Sequence, residues 1–262
     1  MAENIFDVAE KYPGYNVKDR RAVFKNPIGT VVNTNPDRYE LVEYFYKLPK
    51  GNGDIQNSAE GTRMIANSNF EILGNSSDNA DVTYSTTVAG IECQTDGGSG
   101  DSIIILPHLD SGQTAWKQIL WGSENQVIWE AVIRMGAAVT SQTFWAGLKL
   151  TNVEVVATDA DQAYFRFDAT DDTNFKAIYS INDVDVSIDT GVLPVINTNY
   201  YFRIELDSNR VPLYYIDDKQ VGQGTALRDN IDFIPYIGIQ DDSASAREII
   251  IALTKISRKI FE

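Results

Sequence analysis

Tyr200-Tyr201-Phe202-Arg203-Ile204-Glu205-Leu206-Asp207 alternates apolar and polar side chains along most of its length. On a strand, residues two apart share a face, so Phe202, Ile204 and Leu206 face a core and Arg203, Glu205 and Asp207 face away. The same reading applies to runs at 127–135, 143–150, 163–168, 175–181, 212–217, 236–240 and 248–256, which alternate or are rich in β-branched and aromatic residues. Gly, Pro, Asn or Asp bounds each run. Strands at this spacing, with no convincing helix between them, predict an all-β, two-sheet antiparallel sandwich.

The pattern continues upstream. Residues 39–48 form an aromatic strand candidate containing Tyr44-Phe45-Tyr46, and shorter candidates lie at 69–73, 82–85, 90–94 and 102–107. Residues 115–121 read as a further short strand or turn. Gly51-Asn52-Gly53 marks a loop, and Asp96-Gly97-Gly98-Ser99-Gly100 a flexible turn. Asp217-Asp218 is a tight hairpin signal, and Pro235 suits the opening of a strand. No low-complexity linker divides these signals, so residues 39–262 are expected to form one jelly-roll domain of two large sheets.

Residues 1–38 differ. A short helix candidate at 4–11 stops at Pro13-Gly14, and Phe6, Val23, Phe24, Ile28, Val31 and Val32 follow no period. Six basic residues against five acidic ones leave this segment near neutral, whereas the whole chain carries a formal charge of −15. Such a segment is expected to be an extended arm that lies on another surface. Its apolar residues would be anchors, with Lys18, Arg20, Arg21 and Lys25 beside them.

The acidic body disfavours nucleic acid, whose phosphates it would repel. Cys93 is the only cysteine, so stability must come from packing, assembly or bound ions rather than an intrachain disulfide. No apolar run reaches transmembrane length, and the N-terminus lacks a signal-peptide pattern. The expectation is a soluble protein made in a reducing cytoplasm, with no membrane partner.

Several segments carry a family resemblance. They are Trp129-Glu130-Ala131, Trp145-Ala146-Gly147-Leu148, Ala163-Tyr164-Phe165-Arg166, Asp189-Thr190-Gly191-Val192, the run from Tyr201 to Asp207, Tyr215-Ile216-Asp217-Asp218-Lys219 and Pro235-Tyr236-Ile237-Gly238-Ile239-Gln240. From about Asn69 onward the chain resembles the concanavalin A-like lectin/glucanase (LamG-like) jelly roll. Pro107-His108-Leu109-Asp110 and Gln113-Thr114-Ala115-Trp116 resemble the version found in bacteriophage virion structural proteins. The resemblance implies a fold and a viral setting; a fold alone does not give a function.

Glycanases of this type need two carboxylates on one strand face. The enzyme pattern is Glu-x-Asp-x-x-Glu or Glu-x-Asp-x-Glu. Here Glu205-Leu206-Asp207 is followed by Ser208, Asn209 and Arg210, so the third carboxylate is missing. His108 is the sole histidine, which argues against a zinc centre, and nothing in the sequence links it to Cys93. Asp168, Asp171 and Asp172 are the best candidates for structural calcium, although Asp also serves turn chemistry. Trp129 and Trp145 sit in strongly apolar strands and are assigned to the core. Trp116 and Trp121 are the candidates for stacking on a sugar.

The sequence therefore points to a non-enzymatic virion protein, without cofactor. It would be a capsid decoration (cement) or head-fibre protein whose arm attaches to the major capsid protein, another virion protein or a second copy of itself. The alternative is a carbohydrate-binding adhesin, such as a tail-fibre domain that recognises a host glycan.

Overall fold

The computed structural model describes residues 37–51, 69–107, 116, 119–150 and 159–260. The strands in chain order are β1 (Arg38–Glu43), β2 (Lys50–Gly51), β3 (Phe70–Leu73), β4 (Val82–Tyr84), β5 (Ile91–Gln94), β6 (Ser102–Pro107), β7 (Ile128–Met135) and β8 (Gln142–Lys149). They continue with β9 (Asp161–Asp168), β10 (Lys176–Ile181), β11 (Val184–Asp189), β12 (Asn199–Leu206), β13 (Pro212–Ile216), β14 (Lys219–Gln223), β15 (Ile234–Asp241) and β16 (Glu248–Lys259). Among the described residues no helix is long and apolar enough to cross a membrane.

The strands form two eight-stranded sheets. Sheet A runs β14-β13-β12-β7-β16-β5-β4, and β1 also pairs with β16. Sheet B runs β11-β10-β9-β8-β15-β6-β3-β2. Every pairing is antiparallel except that of β2 with β3. The twelve-residue β16 organises sheet A: one side pairs with β7, while the other holds β5 at its start and β1 at its end.

The inward faces follow the alternation. Trp129, Ala131, Ile133 and Met135 of β7 and Phe202, Ile204 and Leu206 of β12 are buried against Phe144, Ala146 and Leu148 of β8 and Phe165 of β9. Phe144, Phe165, Phe175, Tyr200 and Phe202 make tilted and edge-on ring contacts at 4.9–6.0 Å. Full burial of each large side chain contributes about 1.5–3 kcal/mol. The hairpin between β13 and β14 turns at Asp217 and Asp218, both with positive φ, as the sequence predicts.

Four expectations change. Val184-Asp185-Val186-Ser187-Ile188-Asp189, absent from the strand list read from the sequence, forms β11. It is closed onto β10 by Asn182 and Asp183, both at positive φ. Residues 115–121 do not make a strand among the described positions: Trp116 has helical backbone, Gly122 bridges to Asp232, and residues 123–125 form a 3-10 turn. The strand expected over 39–48 ends at Glu43, and Phe45 turns with φ 53°. Arg38, expected as the last residue of the arm, is the first of β1. Its guanidinium donates to the Ser257 hydroxyl and to the Gln126 carbonyl. The arm candidates Phe6, Lys18, Arg20, Arg21, Val23, Phe24, Lys25, Ile28, Val31 and Val32 lie outside the described residues.

Candidate functional site

The outward face of sheet A carries a connected row of charged side chains. Register places Lys255 of β16 beside Glu130 of β7, Glu130 beside Arg203 of β12, and Arg203 beside Tyr215 of β13. Lys255 Nζ lies 2.6 Å from Glu130 and 3.1 Å from Glu40 of β1. The Tyr201 hydroxyl donates to Glu130. Arg203 pairs with Glu205 at 3.2 Å and with Asp218 at 3.5 Å, and stacks on the Tyr215 ring at 4.2 Å. Burial and the neighbouring Glu130 carboxylate push the Tyr201 phenol up, so it remains a neutral donor. The row is a cross-strand ladder of alternating charge, in which each carboxylate is held by a cation.

The outward face of sheet B is aromatic and nearly neutral along its centre. Through Gly147, register lines up Ile178, Tyr164, Gly147 and Tyr236 across β10, β9, β8 and β15; Leu106 of β6, paired with Glu71 of β3, packs in the same cluster as Tyr236. The Tyr164 and Tyr236 ring centroids stand 6.4 Å apart on either side of Gly147. Gly147 has φ 156°, and a Cβ there would meet the Ala163 carbonyl at 2.5 Å and Tyr164 Cα at 2.6 Å, so a side chain would disrupt this floor. Lys149 Nζ lies 5.2 Å from the Tyr236 centroid and 3.7 Å from Asp159. Further along, Gln162 and Ser180 are fully buried, and Ser180 donates to Asp185. Both Gln162 amide atoms and the Tyr236 hydroxyl lack a hydrogen-bond partner among the described residues. Burial pushes the Tyr164 and Tyr236 phenols up, so neither can serve as a base near neutrality. Tyr164 and Tyr236 are 3% and 1% exposed, so their rings are packed within this layer rather than offered to a ligand, and they supply no acid–base pair.

The sequence candidates are distributed differently from expectation. Trp116 and Trp121 are core residues, 4% and 1% exposed, so they cannot offer a ring face to a sugar. The Trp121 indole donates to the Trp116 carbonyl at 2.9 Å, and Trp116 packs edge-on against Phe70. Trp145 reverses the opposite expectation: it is half-buried on the outward face of sheet B, packed with Leu73 and the Tyr164–Tyr236 cluster. Alternation around the inward Phe144 and Ala146 carried that information.

Asp168, Asp171 and Asp172 do not converge as ligands. Asp172 receives Arg166 Nε and the Asp168 backbone N–H, Asp168 caps the Thr170 N–H, and Asp171 is exposed. Among the described residues, no group of three or more His, Cys, Asp or Glu side chains gathers as metal ligands would. Glu205 is held by Arg203, while Asp207 caps Asn209 and Val211 in the β12–β13 turn. The two carboxylates therefore do not work as a pair. Cys93 is buried, and burial raises its thiol far above the reactive range. His108 lies outside the described residues.

No protein-family model matches the chain, and no curated protein does. Solved structures do. LamA from Z. galactanivorans, in complex with laminaritriose and laminaritetraose, aligns with TM-score 0.56 and 9% identity over 83% of this chain and 98% of its own. The Bacillus licheniformis β-glucanase aligns with TM-score 0.53 and 10% identity over 83% and 97%. A protein of unknown function from Shewanella oneidensis MR-1 aligns with TM-score 0.55 and 10% identity over 85% and 87%. Identities this low speak for the fold alone: together with the two-sheet topology they show that the chain has a jelly-roll sandwich fold similar to that of these glucanases.

Proposed function

We propose that this protein is a non-catalytic component of a bacteriophage virion, a capsid decoration or head-fibre protein that attaches through its N-terminal arm. The observation that carries the non-catalytic part is the engagement of the sheet-face carboxylates. Glu40 and Glu130 share Lys255, Glu205 is paired with Arg203, and Asp207 closes a turn. Glycoside hydrolysis needs one carboxyl group able to protonate a leaving oxygen and a second one facing it. The central row of sheet B, taken with the adjoining Leu106 and Glu71, carries a single carboxylate, Glu71 at its β3 end, and no second one within the row to face it. The virion setting is supported by the resemblance of Pro107-His108-Leu109-Asp110 and Gln113-Thr114-Ala115-Trp116 to the bacteriophage version of the fold. A near-neutral, aperiodic segment preceding an acidic body supports attachment through the arm. Arm anchoring in many copies would multiply a weak contact into durable attachment.

The test is co-sedimentation of the full chain, and of a chain lacking residues 1–36, with particles from which the protein has been stripped. Full-length protein should bind and the truncated one should not. Turnover of β-glucans that Glu130→Gln or Glu205→Gln abolishes would overturn the non-catalytic reading. Truncated protein that decorates particles with undiminished affinity would move the attachment surface onto the sandwich.

A second reading, a glycan-binding adhesin, is favoured by Trp145, the half-buried indole on the outward face of sheet B. Glycan-array binding that Trp145→Ala removes from a folded protein would establish it.

A further inference from the structure

The ends of both sheets differ in how they are protected. β2 and β4 are two and three residues long. β14 carries Lys219 and a register shift in its pairing with β13. Short strands, lysines and bulges all discourage pairing with another chain. β11 has none of these devices. It is six residues long, pairs in unbroken register with β10, contains neither Pro nor Lys, and is the terminal strand of sheet B. Five of its six residues are exposed, with Val184 at 63% and Val186 at 37%. The loop leaving it adds exposed Leu193, Val195 and Ile196.

The backbone of β11 fixes how a partner could join. Asn182 and Asp183 form a two-residue turn, so Ile181 and Val184 are the closing hydrogen-bonded pair of the hairpin. Hydrogen-bonding direction alternates along an antiparallel strand. Val184, Val186 and Ile188 therefore direct N–H and C=O toward β10, while Asp185, Ser187 and Asp189 direct theirs to the open side.

For a second copy of this strand, running antiparallel, the register centred on Val186 pairs the most strand residues without opposing two charges of β11, with Asp189 then opposite Asp183 in the turn of the other copy; centring on Ile188 also avoids like charges but pairs only Ser187, Ile188 and Asp189 within the strand. Centring the pair on Ser187 opposes Asp185 to Asp189, and centring it on Asp185 opposes Asp185 to itself. Centring it on Val186 opposes Val186 to Val186, Val184 to Ile188, and Asp185 to Ser187. In that register Asp185 and Ser187 are the hydrogen-bonded pairs, which matches the groups left open. Asp185 also accepts from Ser180, and Asp189 is tied to Lys176 at 2.8 Å and to Asn174 at 2.9 Å. Both acidic side chains are thus engaged within their own subunit.

We infer that β11 is a self-pairing edge, through which two copies of this chain join antiparallel about a two-fold axis at Val186 and make sheet B continuous across the dimer. The apolar contacts Val184–Ile188 and Val186–Val186 and the reciprocal backbone bonds hold it. Because each chain carries −15, added salt should strengthen the dimer by screening their repulsion. The inference stands apart from capsid or glycan binding.

Cysteine scanning of the full chain tests it, with the native Cys93 buried and out of the reaction. Val186→Cys should form a disulfide-linked dimer under mild oxidation. Asp185→Cys and Ser187→Cys should each form no disulfide link alone and cross-link when mixed. Val186→Lys, which opposes like charges on the axis, and Ser187→Pro, which removes an outward N–H, should each sediment as monomer with unchanged far-ultraviolet circular dichroism. Wild-type protein that sediments as monomer at all concentrations and salt levels would overturn the inference. So would equal cross-linking at all three positions, or a dimer that survives both edge variants and disappears only when residues 1–36 are removed.

Discussion

Glu130 is buried on a face that points away from the core, and the ladder around it explains how a charge is tolerated there. Lys255 at 2.6 Å and the Tyr201 hydroxyl satisfy it. Removing one partner of a buried pair leaves an uncompensated charge, which costs more than the pair contributes. Lys255→Met should therefore destabilise by about 2–4 kcal/mol in urea unfolding. The double variant Glu130→Gln/Lys255→Met should recover most of that loss. If the double variant is as unstable as the single, Lys255 acts through packing instead. Gly147→Ala should cost roughly 3 kcal/mol, because its φ and the Ala163 carbonyl leave no room for a Cβ. Asp189 behaves in the opposite sense to a buried acid. Lys176 beside it, with the Gly191 N–H and Asn174, lowers its carboxyl to about 2. Its folded pKa lies below the unfolded value, so its contribution is full above roughly pH 4 and fades as pH falls toward 2. Lys176→Gln should flatten that part of the stability–pH curve; an unchanged curve would remove the pair from the account.

At the scale of elements, β1 shows where the sandwich begins. Tyr39 and Leu41 pack on the core, and all six residues of β1 are in register with β16. Deleting residues 1–36 should leave circular dichroism and melting nearly unchanged. Deleting residues 1–43 should destabilise by about 3 kcal/mol or more, since Tyr39 and Leu41 lose their burial. Equal behaviour of the two truncations would show that β1 is dispensable. Trp121→Ala should lose about 3–5 kcal/mol as a core deletion. The sequence left Trp116 and Trp121 as sugar-stacking candidates because they precede the clearly patterned strands, where no alternation assigns a face. β11 escaped notice for a related reason. Its Val-Asp-Val-Ser-Ile-Asp alternation is regular, but Asp is a turn-forming residue and the run lies between Asp183 and Gly191.

At the scale of the whole molecule, the amino-acid sequence by itself determined the all-β class, eight of the strands from β7 onward to within a few residues, and the inward set Phe202, Ile204 and Leu206. These follow from contacts between residues two apart, which a linear pattern records. It also showed that the third carboxylate of the glycanase pattern is missing after Asp207. Only the tertiary structure decided which sheet each strand joins, because pairing partners such as Arg38 and Lys259 are distant in the chain. Tertiary packing likewise decided that Trp121 is interior and Trp145 outward, and that Glu130 meets Lys255. Runs such as Ile103-Ile104-Ile105-Leu106 are apolar on both faces, so alternation cannot choose an inside. That choice belongs to the packing of two sheets, with Ile103 and Ile105 turned to the core and Ile104 and Leu106 to the Tyr164–Tyr236 face.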